Sequence, residues 1–396
     1  MSGRREGEAN GLAFLLWWEV ASAAAWIYAV WRAALDRAAL RSLPSPDFER
    51  SARDAISIVV PARDEARNIG AWLACAAAQR GVKLEIIVVD DHSNDETASI
   101  AAAIAARDPR VRVLRAPKLP RGWTGKCWAA YTGARAASGR WILFSDADMR
   151  MGPDAVAAAL DAAEASRADA LSCTATLECR SFVEWAVMPV VHAIIATAYP
   201  ARLINDDASP IGLMWGGFML LRADAYARVG GHAAVRHEIA EDRALAAAFK
   251  QFGYRVRLFD GSDRVSVRMY DGFSAMWEGW RKNFYEGARR NPILAALFVA
   301  GTIGMLVVPM PALGALSVTA ARRHLTPTER NVALFAAAGV VASLLVRRMR
   351  DRAVNCDTRS VVAMPLAGAF VAAVMMAAAW RGMSGAGQRW KGRTIG

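Results

Sequence analysis

Cysteine is scarce. Five are spread over 396 residues, at positions 75, 127, 173, 179 and 356, and no two have CxxC spacing. An odd, dispersed set excludes a disulfide framework and a structural zinc site. Charge is also sparse: 22% of residues are charged against 55% hydrophobic. A chain this apolar buries its own surface, which excludes intrinsic disorder. GxGxxG is absent, and so is GxxxxGK[ST], which argues against a dinucleotide fingerprint and a P-loop. The five histidines (92, 192, 232, 237, 324) form neither HExxH nor HxH, and all five read as non-ligands. The net charge of +12 allows nucleic acid, an anionic membrane or a phosphate-rich substrate. The excess is spread over juxtamembrane arginines with no aromatic-lined basic module, so nucleic acid is not expected as a partner.

The apolar residues are concentrated at the two ends. Gly11–Trp31 is apolar apart from Glu19, and Asn291–Ala321 carries no charge. Further charge-free runs follow Asn331 and Ser360. At about 1.5 Å per residue these lengths suit a bilayer. The reading is four spans, near 11–31, 293–320, 331–346 and 361–380. Pro309 and Pro311 are expected to kink or split the second. The first reads as a retained anchor, because Arg32 and Arg37 stand where a signal-peptide cleavage site would lie. Glu19, costly inside a span, is expected to face a partner helix or a headgroup. Segment 347–359 carries five Arg and is expected on the cytoplasmic side, which puts the large middle region there too. The same count places the basic C-terminal tail outside, against the charge rule. The domain reading is an anchor (1–35), a catalytic domain (52–290), a C-terminal transmembrane region of two to four helices (291–381) and a basic tail (382–396), in a multi-pass protein of the inner membrane.

The middle region alternates strand and helix signals. ISIVV (56–60), EIIVV (85–89), VRVL (111–114) and WILF (141–144) are strands, with Ala-rich helices at 65–80, 95–107 and 126–138 between them. This is the pattern of an α/β domain with a mostly parallel sheet, which binds ligands at the carboxyl ends of its strands. Asp64, Asp90, Asp91, Asp146 and Asp148 all follow strand ends. A structural domain has no reason to collect carboxylates at one edge, whereas a nucleotide–metal site does.

IVVPARDEARNIGAWL, VVDDHSNDETASIA, ILFSDADMRMGPDA and the later EDRALAAAFKQFGYRV resemble family 2 glycosyltransferases of the GT-A fold over about residues 55–290. The flanking spans and GWTGKCWA are similar to the membrane-bound bacterial branch, which includes hopene-associated and carotenoid-type enzymes. The resemblance implies a hexosyltransferase-like enzyme that uses a nucleotide-sugar donor, a membrane lipid acceptor and a divalent metal, Mg²⁺ or Mn²⁺.

Asp146-Ala147-Asp148 looks like the family's DxD motif. Two carboxylates two residues apart project to one side and share an ion with the donor diphosphate, with Asp148 its stronger ligand. The resemblance gives Pro61, Arg63, Asp64 and Glu65 to the loop cradling base and ribose, and Asp91, with Asp90 beside it, to the base. Alternatively Ser93 and Asp95 cap the next helix. His92 stands where the family commonly has Gly. Lys126 is placed either on the diphosphate or as a surface helix-start lysine. Glu241-Asp242 looks like the ED motif, in which Asp242 takes the acceptor's proton; a helix N-terminal carboxylate is the plainer alternative. Gly216-Gly217 would let backbone approach the donor sugar, or form a bulge. Trp123 and Trp128 stack on a ligand or on the core. QxxRW is absent from WEGWRKNFYEGARR, which argues against processive synthesis and leaves Arg281 as the candidate diphosphate contact. Trp185–Ala201 is an interfacial wall of an acceptor entrance or a buried helix. The competing functions are a lipid or sugar-phosphate nucleotidyltransferase, disfavoured by the PARDEARN loop, and a non-catalytic membrane scaffold.

Overall fold

The computed structural model describes residues 2–51, 55–287, 291–383, 388–390 and 393–395. The boundaries read at 52 and 290, and part of the basic tail, lie outside the described residues. The apolar N-terminal run is a single helix, α1 (Ser2–Ala39). The first four sequence-expected strands appear as β1 (Ala55–Ala62), β2 (Lys83–Asp90), β3 (Val111–Arg115) and β4 (Trp141–Ser145). The helices between them are α2 (Ile69–Ala77), α3 (Thr97–Ala105) and α4 (Gly125–Ala136). After β5 (Met149–Met151) and α5 (Ala155–Ala165) come β6 (Ala170–Thr174), β7 (Thr176–Leu177), β8 (Phe218–Arg222), β9 (Val256–Asp260) and β10 (Val265–Val267).

Seven strands form one sheet, in the order β3-β2-β1-β4-β8-β6-β9. Its pairs are parallel except at β8, which runs antiparallel to both β4 and β6. The β-branched runs are buried on both faces (Ile56, Ile58, Val59, Val60 and Ile86–Val89 are at most 1% exposed), as a sheet covered by helices on both sides requires. Parallel β1, β2 and β4 bring their carboxyl ends, and the acidic residues after them, to one edge. The segment after α1 joins the last strand of the sheet at its carboxyl end: Leu43 N–H donates to Asp260 O (2.9 Å) and Asp260 N–H to Arg41 O (2.8 Å).

The segment Trp185–Ala201 falls in helix α6 (Phe182–Ala198), whose residues Ala186–Val191 are buried. Of the two expectations, the structure forms the buried helix. It is followed by α7 (Glu241–Gln251), α8 (Gly272–Gly287), α9 (Pro292–Thr302), α10 (Pro309–Arg322), α11 (Pro327–Ala353) and α12 (Met364–Met383). Among the described residues three helices are long and apolar enough to cross a membrane, within Asn10–Ala39, Pro327–Ala353 and Val361–Arg381. A fourth candidate span is the pair Pro292–Val307 and Pro309–Arg322, bent by 40°.

That bend has a local cause. Pro309 has no amide to give Met305 O, and in the π-helical turn Ile303–Val307 the Val308 N–H bonds Ile303 O (2.9 Å) instead of Gly304 O. Two α1 tryptophans supply the missing donors: Trp18 Nε1 to Gly304 O (3.0 Å) and Trp26 Nε1 to Met305 O (3.3 Å). A Cβ at Gly304 would stand 1.9 Å from the Trp18 ring, so this contact requires glycine. Glu19 is fully buried where α1 packs along α11, so it faces a partner helix and not the lipid headgroups.

Candidate active site

The loop after β1 is tied to the loop after β2. Arg63 Nη1 donates to Asp91 O (2.7 Å) and His92 O (3.3 Å). Asp64 N–H donates to Ser93 Oγ (3.0 Å), and Asp64 Oδ1 accepts from Asn94 N–H (2.7 Å). Glu65 N–H donates to Thr97 Oγ1 (2.7 Å). Asp90 Oδ1 accepts from Ser93 N–H (3.1 Å), so this carboxylate braces its own turn. Asp95 caps α3 through Thr97 N–H (3.0 Å), whereas Ser93 joins the two loops. Asp91 is buried at the strand end, and Pro61 lies within β1 paired to β2. Asp64 and His92 have φ of +50° and +57°, a left-handed backbone that side chains rarely adopt. That conformation explains why glycine suits the position of His92.

Lys126 is the hub of the cleft. Thr124 caps α4 by accepting from Cys127 N–H (3.3 Å), and Lys126 projects from the first turn. Its ammonium lies 2.8 Å from Asp146 Oδ1 and 2.8 Å from Glu241 Oε1. It therefore joins the DxD turn after β4 to the ED pair at the start of α7, 95 residues later in the chain. Burial works to discharge Lys126, but the two carboxylates outweigh it and raise its pKa well above the ordinary lysine value. Lys126 is thus a helix-start lysine, 41% exposed, that is ion-paired to both acids.

Asp242 sits beside this bridge. Its Oδ2 accepts from Gly216 N–H (3.1 Å) and its Oδ1 from Arg243 N–H (2.7 Å). A Cβ at Gly216 would stand 3.1 Å from Asp242 Oδ2 and 3.5 Å from Lys126 Nζ, and one at Gly217 would be 2.4 Å from Met149 Sδ. The close backbone approach at these glycines is thus to the acid and to the core. Burial first, then the neighbouring Glu241 carboxylate, pushes the Asp242 pKa up to about 6, against the pull of Lys126. Asp146 also acts on Asp242, so the DxD and ED carboxylates share one field. Asp148 lies two residues along from Asp146, with the buried Ala147 between them.

Helix α8 brings Lys282 to the cleft, a residue that sequence reasoning passed over. Burial lowers its pKa to about 8, and it faces Glu241, Lys126, Asp146 and Asp242. Arg281 is turned elsewhere. It lines a small hollow with Phe273, Ser274, Trp277 and Glu278, and burial and then Arg381 lower its pKa. Consecutive helix residues point about 100° apart, so only one of this pair faces the cleft. Trp123 and Trp128 pack on each other (5.0 Å between centroids) and on Tyr131.

Among the described residues no group of three or more His, Cys, Asp or Glu side chains could enclose a metal. Asp146 and Asp148 offer hard oxygen donors at one turn. That set fits a divalent ion held by one or two carboxylates and completed by substrate phosphates, the usual arrangement for Mg²⁺.

The Glycosyl transferase family 2 model matches residues 57–230. Curated relatives include 4,4'-diaponeurosporenoate glycosyltransferases. The chain is 27% identical to that of Staphylococcus haemolyticus over 263 residues, 65% of this chain and 68% of the relative. It is 28% identical to that of Staphylococcus aureus over 259 residues, 64% of this chain and 68% of the relative. Among solved structures it superposes on a mannosyltransferase from Pyrobaculum calidifontis in complex with GDP-Man and Mn²⁺, with a TM-score of 0.53 at 20% identity. That match spans 93% of this chain and 99% of the other, and the fold they share is GT-A.

Proposed function

We propose that this chain, a glycosyltransferase whose residues 57–230 form a family 2 domain, moves a sugar from a nucleoside-diphosphate sugar to the hydroxyl or carboxyl of a membrane lipid. The relatives point to a carotenoid-type acceptor. The observation that carries the reading is the Lys126 bridge, which gathers Asp146, Glu241 and Asp242 in one cleft at the carboxyl edge of the sheet.

The steps follow from the groups present. The loops after β1 and β2, through Arg63, Asp64, Glu65 and Asp91, receive the base and ribose. Asp146 and Asp148 would hold the divalent ion, which when bound neutralises charge on the donor diphosphate. Lys126 and Lys282 supply two ammonium groups toward the same diphosphate. Asp242 takes the proton from an acceptor hydroxyl as its oxygen attacks the anomeric carbon. A single in-line displacement with one base inverts the anomeric centre, and no enzyme-bound sugar is formed. The C-terminal end of α11 is clamped to α6 of the catalytic domain, since Arg347 donates to Trp185 O (2.6 Å) and Ala186 O (2.8 Å). This contact supports the reading that the arginine-rich segment 347–359 and the catalytic domain share one side of the membrane, the cytoplasmic side by the positive-inside rule.

The test is transfer of labelled sugar to lipid by the full chain in vesicles. Asp148→Ala is expected to lower transfer by roughly a thousandfold, the size of a lost metal contribution, with unchanged membrane insertion and melting. Chelation is expected to abolish wild-type transfer, and added Mg²⁺ or Mn²⁺ to restore it. Full transfer by Asp148→Ala would falsify the assignment.

A further inference from the structure

A second polar cluster lies where α1 leaves its apolar run, around a buried carboxylate. Asp36 of α1 is 3% exposed. Arg350 Nη2 lies 3.5 Å from its Oδ2 and Arg202 Nε 4.0 Å from its Oδ1, while Arg32, one turn earlier, acts on the same carboxylate. Two guanidiniums thus flank one carboxylate, an excess of one positive charge, while Arg32 Nη1 donates to Tyr28 Oη (2.9 Å). The Nε atoms of Arg32, Arg202 and Arg350, and Asp36 Oδ1 among them, are buried without a hydrogen-bond partner among the described residues, three donors to one acceptor.

A second pair of unpartnered groups lies on α6 and beside the cleft. The field of Arg350 reaches His192 of α6, whose ring stacks on Trp215 at 4.5 Å and 5°. Burial first, then Arg350, pushes the His192 pKa down to about 3, so the imidazole is neutral. His192 Nδ1 and Trp215 Nε1 are both buried and lack partners among the described residues. Trp215 directly precedes Gly216, whose N–H holds Asp242.

Guanidinium and indole N–H groups are donors only. Left unsatisfied when buried, each is costly, and around a net positive charge the group that satisfies several at once is an oxyanion. A cation is repelled, and a lone hydroxyl meets too few of them. The position at the end of the apolar helices selects an amphipathic molecule. We propose that Arg202, Arg350, His192 and Trp215 form an anion site that holds the ionised head group of a lipid beside the cleft. The proposal rests on the lipid-acceptor reading. The head group has two sources: a carboxylate on the acceptor itself, or the phosphate of a bilayer phospholipid.

Binding separates these without turnover. The full chain is placed in phosphatidylcholine vesicles and titrated with a polyene lipid ending in a carboxylate, and with its matched alcohol, by quenching of tryptophan emission. The wild type is expected to prefer the acid by roughly tenfold or more, the size of one charged hydrogen bond. Arg350→Gln is expected to erase that preference and leave nucleotide binding unchanged. Trp215→Phe keeps the ring packing and is expected to weaken the acid alone, which covers the case in which Arg350→Gln fails to fold. If phosphatidylglycerol in the vesicle displaces the acid, and Arg350→Gln abolishes that displacement, the site stands and its ligand is the phospholipid. If both variants bind the acid, the alcohol and phosphatidylglycerol as the wild type does, the site is refuted. Intact acid binding with no sugar transfer to any acceptor would instead count against the proposed reaction.

Discussion

Asp242→Asn is expected to slow sugar transfer to a hydroxyl acceptor by roughly 10²–10⁴-fold, the usual contribution of a general base. The substitution is nearly isosteric. The amide oxygen keeps one of the two backbone donors, Gly216 N–H or Arg243 N–H, and the amide nitrogen cannot accept the other. The fold and donor binding should survive, so the loss should fall on kcat. The pH profile gives an independent check. With its pKa raised to about 6, Asp242 is protonated and inactive as a base below that pH and becomes competent as pH rises through it. Lys282, lowered to about 8, loses its charge as pH rises through that value. The wild-type rate should therefore be bell-shaped, with limbs near these two values, and in Asp242→Asn the acid limb should vanish. An unchanged acid limb in that variant would assign the base to another residue.

Arg347→Met is expected to destabilise the protein by ~3–5 kcal/mol, as when one partner of a buried ion pair is removed. Arg347 and Asp351 are both fully buried, and Arg347 Nε lies 2.6 Å from Asp351 Oδ1. The guanidinium also supplies α6 with donors. Pro189 lies four residues after Trp185 and has no N–H, so the Trp185 carbonyl depends on Arg347 Nη2. Single removal strands a buried carboxylate and that carbonyl together. Replacing Asp351 with Leu as well removes the stranded charge, and the double variant should recover all but the ~1–3 kcal/mol of the unmet carbonyl. Thermal unfolding in detergent of the wild type, both single variants and the double variant checks this. A loss in the double variant equal to the sum of the two single losses would mean that the ion pair itself contributes nothing.

Much of the catalytic domain was legible because its signals are local. Ile56–Val60 and Glu85–Val89 are β-branched runs that only a sheet buried on both faces accommodates, and the acids after them lie at one edge as parallel strands require. Asp146-Ala147-Asp148 stood out for the same reason, since its spacing lies within three residues. The bent span between 292 and 322 was signalled by Pro309, although the tryptophans that satisfy its free carbonyls lie nearly 300 residues away in α1. What the sequence hid depends on distant pairing or on helical phase. Nothing near Lys126 marks its partner Glu241. The missing QxxRW directed attention to Arg281, but the rotation of α8 presents Lys282 to the acids and leaves Arg281 beside Glu278. Gly216 read as a contact for the sugar or as a bulge, and no sequence signal showed that its N–H holds Asp242. The Arg202–Asp36–Arg350 cluster joins α1, the segment after α6 and the end of α11, and no sequence spacing marks it.

Phosphorus NMR of a turnover mixture tests the central reading most directly. The full chain in vesicles, supplied with a nucleotide sugar, lipid acceptor and a divalent ion, should release one nucleoside diphosphate for each sugar that reaches the lipid. Release of pyrophosphate in its place, with the nucleotide itself carried to the lipid, would contradict a sugar transfer organised by Asp146, Asp148, Lys126 and Asp242.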